Sequence, residues 1–86
     1  MYYVYIIANE EKETYIGYTG DLGRRLKEHN SSENKGYTKG QKWHYVYYEA
    51  FASNKDAVLR EKRLKSHGQS KRHLKTRIVH SLEMKG

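Results

Sequence analysis

The alternation of apolar and polar positions divides the chain into six predicted elements. A first strand is predicted over Tyr2-Tyr3-Val4-Tyr5-Ile6-Ile7-Ala8, where aromatic and β-branched residues dominate. The polar stretch from Asn9 to Glu13 reads as a turn, and Thr14-Tyr15-Ile16-Gly17-Tyr18-Thr19 as the returning strand of a hairpin. Gly20-Asp21 then starts a helix, with Asp21 as its N-cap, running to about Asn30. Ser31 to Lys42 is a loop, and the stretch from Trp43 to Phe51 holds a third strand around Tyr45-Val46-Tyr47-Tyr48. Ser53 or Asn54 caps a second helix ending near Gly68, where glycine can take the left-handed conformation that stops a helix. Ser70 opens a last helix, with Leu74, Ile78 and Leu82 spaced four apart. The order is β-β-α-β-α-α, an α+β chain with no repeat, low-complexity tract or linker. One domain over residues 1–86 is expected.

Helical geometry singles out two charged residues. With 3.6 residues to each turn, Leu22, Leu26 and His29 fall within one narrow arc of the first helix, and Arg25 falls at its edge. Arg25 and His29 are therefore expected on the face that meets the sheet, and Arg24 in solvent. An arginine at the edge of a core face is costly unless an anion pairs with it. Its other reading is a side chain lying along the sheet with its head in water. On the second helix, Ala57 and Leu64 lie almost in line along the axis, and Glu61 falls a short arc to one side. Glu61 is thus set in the apolar stripe, and it is the only acid from Arg60 to Arg77. A metal ion, Arg25 or a proton would satisfy it there. A surface pair with Lys65 is the weaker alternative for a carboxylate so placed.

Tyrosine is the third anomaly: nine residues against a single phenylalanine. Phenylalanine packs as well, so some hydroxyls are expected to act, while most tyrosines serve as amphipathic packing at the sheet edges. Tyr3, Tyr5 and Ile7 share one face of the first strand, and Tyr15 and Gly17 share one face of the second. If Tyr5 stands opposite Gly17, both tyrosines look out of the same side. Gly17 would then leave open space beside Tyr5 where a substrate can approach. A one-residue shift of register would separate the pair.

Charge narrows the partners. The net charge is +7, and it is unevenly placed. Residues 1–34 hold four basic and six acidic side chains, whereas residues 35–86 hold thirteen basic and four acidic. Such a one-sided field favours a polyanion, nucleic acid first among them; a merely solubilising basic surface is the plainer reading. There is no cysteine, hence neither a disulfide framework nor a thiolate metal site. A strand-like pattern begins almost at Met1, and no apolar run approaches membrane-spanning length. A soluble cytoplasmic protein without a signal peptide or membrane partner is expected.

Tyr3-Val4-Tyr5, then Tyr15-Ile16-Gly17, Arg25, and a later helix carrying Arg60-Glu61-Lys62 together resemble the GIY-YIG nuclease family. The likeness covers nearly the whole chain. The run from Tyr15 through Gly20-Asp21-Leu22-Gly23-Arg24-Arg25 to His29 is similar to that of small stand-alone bacterial members. It implies a three-stranded antiparallel sheet flanked by three helices, cleaving phosphodiesters with one divalent ion. Tyr5 matches the tyrosine of the first motif, Tyr15 and Gly17 the second, Arg25 the family arginine, His29 the histidine one turn later, and Glu61 the metal-binding glutamate. The first motif reads Tyr-Val-Tyr where the family name has Gly-Ile-Tyr. Tyr18 stands where some repair members carry a lysine, and no asparagine follows Asn54.

The resemblance gives each residue a task. Magnesium or manganese on Glu61 would polarise the phosphate and lower the pKa of a bound water. Arg25 would fork onto phosphate oxygens. Tyr5 is expected as general base, its phenol lowered by adjacent cations, with Tyr15 in support. His29 would orient phosphate or relay a proton; a packed histidine bonded to backbone is the other reading. Lys35, Lys39 and Lys42, with Tyr37 and Trp43 nearby, are expected to clamp phosphates and stack on an unpaired base. No recognition module is visible, so specificity would come from a protein partner or be lacking. DNA is the expected substrate, and a nucleic-acid-binding module that lost catalysis is the alternative.

Overall fold

Asn9 ends the first strand by turning the chain back on itself. Its buried side-chain carbonyl accepts from the amides of Glu11 and Glu13, both at 3.0 Å, and Lys12 takes a positive φ of 65°. This Asx-type turn joins β1 (Tyr2–Ala8) to β2 (Thr14–Thr19). The computed structural model describes residues 1–31 and 41–84. β1 pairs antiparallel with β2 on one side and with β3 (His44–Phe51) on the other, giving the sheet order β2-β1-β3. The central strand is the most apolar of the three, as a strand covered on both faces must be. The register sets Tyr5 opposite Gly17 and Ile7 opposite Tyr15, so the expected pairing of the two tyrosines on one face holds. On β3 an irregularity between Ile6 and Ile7 slips the register, so that Tyr47 opposes Ile6 and Tyr45 opposes Ile7.

Helices cover both faces. Helix α1 (Leu22–His29) is capped by Asp21, whose side chain accepts from the Arg24 amide. It packs Leu22 and Leu26 on a cluster of Tyr5, Ile7 and Trp43. Its end is tied to β3 by Asn30, which donates to the Trp43 carbonyl at 3.0 Å and accepts from the Trp43 amide at 2.7 Å. The opposite face, built on Val4, Ile6 and Ile16, receives Ala57 and Leu64 of α2 (Asn54–Ser66) and Leu74 of α3 (Gly68–Arg77). Arg60 and Glu61 flank the buried stripe of α2 on either side. Arg60 forks onto Glu49 of β3, with Nε–Oε1 at 3.0 Å and Nη2–Oε2 at 2.8 Å. Tyr47 donates to the same carboxylate at 2.8 Å. The helix is thereby fixed in rotation, with Arg60 toward β3 and Glu61 toward β2.

Two sequence expectations change at the C-terminal end. Gly68 opens α3 rather than stopping α2 in a left-handed conformation; α2 ends at His67, whose backbone is extended with φ −113°. The predicted last helix also breaks at Ile78, and the chain continues as α4 (Val79–Glu83). Ile78 turns its side chain against the α2 core, and its amide shares the Leu74 and Lys75 carbonyls. The order is therefore β-β-α-β-α-α-α. Among the described residues, no helix is long and apolar enough to cross a membrane.

Candidate functional site

Three elements converge on the hydroxyl of Tyr5. The tyrosine lies at the middle of β1, and its ring leans over β2 because Gly17 offers no side chain there. A Cβ built on Gly17 would fall 2.2 Å from the Tyr5 hydroxyl and 2.4 Å from Cζ. The space expected beside Tyr5 is thus filled by Tyr5 itself, and Gly17, itself buried, serves this close approach rather than contacting a substrate. His29 Nε2 lies 2.7 Å from the hydroxyl, and Arg25 Nε donates to it at 3.2 Å. The predicted facing of α1 is what the fold shows. His29 is buried, Arg25 is half-exposed along its side chain, and Arg24 stands in solvent at 78% exposure.

This environment fixes the charges. Burial pushes the Tyr5 phenol above its ordinary value of 10.0; the bond and charge of Arg25 pull it down without cancelling the rise. The lowering expected from adjacent cations is therefore outweighed by desolvation. Burial first, and the Arg25 charge second, lower His29 below its usual 6.5, so its imidazole is neutral at neutral pH. For Arg25, burial opposes the charge, but bonds to Tyr5 and Glu28 more than offset it and hold the guanidinium charged. Arg25 Nη1 donates to Glu28 at 3.1 Å, while Nη2 makes no hydrogen bond among the described residues.

Tyr15 extends the site to the rim of the sheet. It is half-buried, and its ring meets His29 edge-on with centroids 5.3 Å apart. Tyr5, in contrast, is 0% exposed. Across the β2 edge, Lys65 Nζ sits 5.5 Å from the Tyr15 ring centroid and pairs with Glu61 Oε2 at 3.1 Å. The carboxylate partner ranked weaker from sequence is the one observed, because Glu61 lies on the flank of α2 and not at its centre. Its side chain keeps 23% exposure, and Oε1 makes no hydrogen bond among the described residues. Glu61 is close enough for its charge to contribute to the raised pKa of Tyr5. Lys65 and Lys71 line a cleft of about 260 Å³ with Thr14, Tyr15 and Ile16. Sequence periodicity does not bring Lys71 near Tyr15; only the fold of α3 back over α2 does so.

Other expected contacts are placed elsewhere. Lys35, Tyr37 and Lys39 lie outside the described residues. Lys42 is exposed and lines a separate cleft of about 650 Å³ with Asn9, Glu10, Lys12, His44 and Met84. Trp43 is 3% exposed and packed against Tyr5 and Ile7, so it has no face to offer a base. Tyr18 turns to the α2 side, where its hydroxyl bonds the Asn54 side chain.

A single carboxylate with an unengaged oxygen at the rim suits a small hard cation, which keeps most of its water and takes one or two protein carboxylates. No group of three or more metal-binding side chains occurs among the described residues. Thus Glu61 fits such an ion only as a sparse site.

The model of the GIY-YIG catalytic domain matches residues 1–76. A UPF0213 protein of the archaeon Haloquadratum walsbyi is 38% identical over 72 residues, covering 83% of this chain and 81% of that one. A UPF0213 protein of Bacillus pumilus is 35% identical over 74 residues, covering 85% of this chain and 76% of that one. The solution NMR structure of a UPF0213 protein from Bacillus halodurans superposes with a TM-score of 0.54 at 32% identity, covering 91% of this chain and 87% of that one.

Proposed function

The chain belongs to the GIY-YIG catalytic domain family, a family of nucleases, and from that premise we propose that it hydrolyses phosphodiester bonds in DNA with one divalent ion. The cutting is directed by substrate shape or is indifferent to sequence. One observation carries this reading: two phenols, a neutral imidazole, a charged guanidinium and a rim carboxylate meet around the β2 edge of a basic domain.

The chemistry divides among the residues by exposure. Arg25 binds the scissile phosphate through Nη2 and stabilises the charge that grows on its oxygens. Tyr15, which has surface, acts as its phenolate and takes the proton of the attacking water; the water oxygen bonds phosphorus as the bond to the departing oxygen breaks, and that oxygen takes a proton from solvent. Tyr5, which has none, positions Arg25 and His29 through its hydroxyl. Lys65 and Lys71 steady the flanking backbone. Magnesium or manganese would be held by Glu61 and would supply Lewis acidity to the phosphate.

The test incubates purified protein with single-stranded, duplex and branched DNA, with and without magnesium or manganese. Metal-dependent cleavage is expected, lost in Glu61→Gln, Arg25→Ala and Tyr15→Phe. Cleavage that survives in all three variants would sink the assignment. The Lys65–Glu61 pair favours a second reading, a binding module without catalysis, because an internal cation already neutralises the carboxylate. Salt-sensitive DNA binding with no cutting in either metal would decide for that module.

A further inference from the structure

On the face that carries Tyr5, α1 covers the end of the sheet marked by Ile7, Tyr45 and Trp43. Among the described residues, the other end is left open. There Tyr48, directly opposite Tyr5 on β3, is 55% exposed, unusually high for an aromatic in mid-strand. Tyr3, two residues from Tyr5 on the same face of β1, meets it edge-on with ring centroids 5.8 Å apart. Neither hydroxyl makes a hydrogen bond among the described residues. The two rings therefore present an amphipathic surface whose apolar part is in water, next to the tyrosine that holds Arg25.

We infer that Tyr48 and Tyr3 form a stacking platform for an unpaired base of the strand whose phosphate is held by Arg25. The inference rests on the nuclease reading for that phosphate. Three features favour a nucleic-acid base over another occupant. The platform shares the sheet face of Tyr5, whose hydroxyl accepts from the charged Arg25, the chain carries a net charge of +7, and aromatic faces accept any base without hydrogen-bond readout. A base held in a duplex is stacked on both sides and cannot lie on Tyr48, so the platform selects a nucleotide that is single-stranded, flapped or frayed. Trp43, expected from sequence to stack on a base, is buried; Tyr48 takes that place on the opposite end of the same face.

Binding decides the matter separately from cleavage. In the full chain bearing Glu61→Gln, fluorescence anisotropy would measure affinity for three probes. These are a mixed-sequence single strand, its blunt duplex, and the single strand with a run of abasic positions. Tyr48→Ala is expected to weaken binding to the intact single strand roughly 5- to 150-fold, the range of a lost base–aromatic stack. Binding to the duplex and to the abasic strand should change less than about twofold, because neither offers a free base to the ring. Tyr48→Phe should bind as the parent does, and Tyr3→Ala should show a smaller loss of the same pattern. Equal losses on all probes, or a Phe variant as weak as Ala, would overturn the platform. So would a concentration-dependent dimer that Tyr48→Ala dissociates, which would make this face an interface between copies. A parent protein that cuts nothing yet shows this binding pattern would remove the nuclease reading and leave the platform standing.

Discussion

Gly17 shows how one missing side chain organises the site. Its Cα hydrogen is the floor on which the Tyr5 ring rests, and a methyl group there would overlap the hydroxyl. The Tyr5 ring is fully buried in a cluster with Ile7 and Trp43, where close packing opposes its displacement. Gly17→Ala is expected to cost about 1–3 kcal/mol, the range for overpacking a filled core. It should also displace the hydroxyl from His29 and Arg25. Urea denaturation checks the first effect, and the His29 ring signals in an NMR spectrum check the second. A variant with parental stability and unchanged His29 shifts would show that the ring moves freely after all.

At the scale of the element, α1 is short and depends on its ends. Asp21 caps one, and Asn30 clamps the other to Trp43. Arg25 and His29 project from between these points. Asp21→Ala removes a cap and is expected to cost about 0.5–2 kcal/mol. Because Arg25 then loses its fixed platform, cleavage should fall even though the Asp21 side chain bonds only the Arg24 amide and none of the site residues. The paired measurement is thermal unfolding with initial rate; a stability loss at full activity would show that α1 needs no cap to hold Arg25. On α2 the analogous anchor is the Arg60–Glu49 fork, which sets the rotation that brings Glu61 to the β2 rim.

Two properties belong to the whole molecule. The first is its charge. If Lys71 contacts a phosphate beside Tyr15, Lys71→Ala should reduce the slope of log affinity against log salt by about 1, with little change in which DNA is preferred. A slope equal to the parent's would remove Lys71 from the path of the strand. The second is stability against pH. His29 is depressed in the folded chain, so the unfolded chain binds that proton first. The contribution is complete above about pH 6.5 and declines as pH falls through the folded value. Burial raises Tyr45 to about 12, and burial with the Glu49 bond raises Tyr47 to about 12. Both stay protonated while the unfolded chain ionises near 10, so stability is kept below about pH 10 and lost as pH rises toward 12. Urea midpoints across pH should therefore fall at both ends, and His29→Gln should flatten the acid side.

Local pattern determined much of this protein. The strand runs, the polar turn from Asn9 to Glu13, the Asp21 cap and the inward facing of Arg25 and His29 all follow from local pattern, which acts within a few residues. Helical periodicity also sets Glu61 in the apolar stripe, where the fold has it on the flank and paired with Lys65. What it cannot give is the company each residue keeps. The burial of Trp43, the Tyr5 ring over Gly17 and the exposure of Tyr48 depend on which elements cover which part of the sheet. The same holds for the Tyr5 phenol, where nearby cations and burial act in opposite directions. Desolvation wins there because α1 closes over the hydroxyl, and only the tertiary structure decides that.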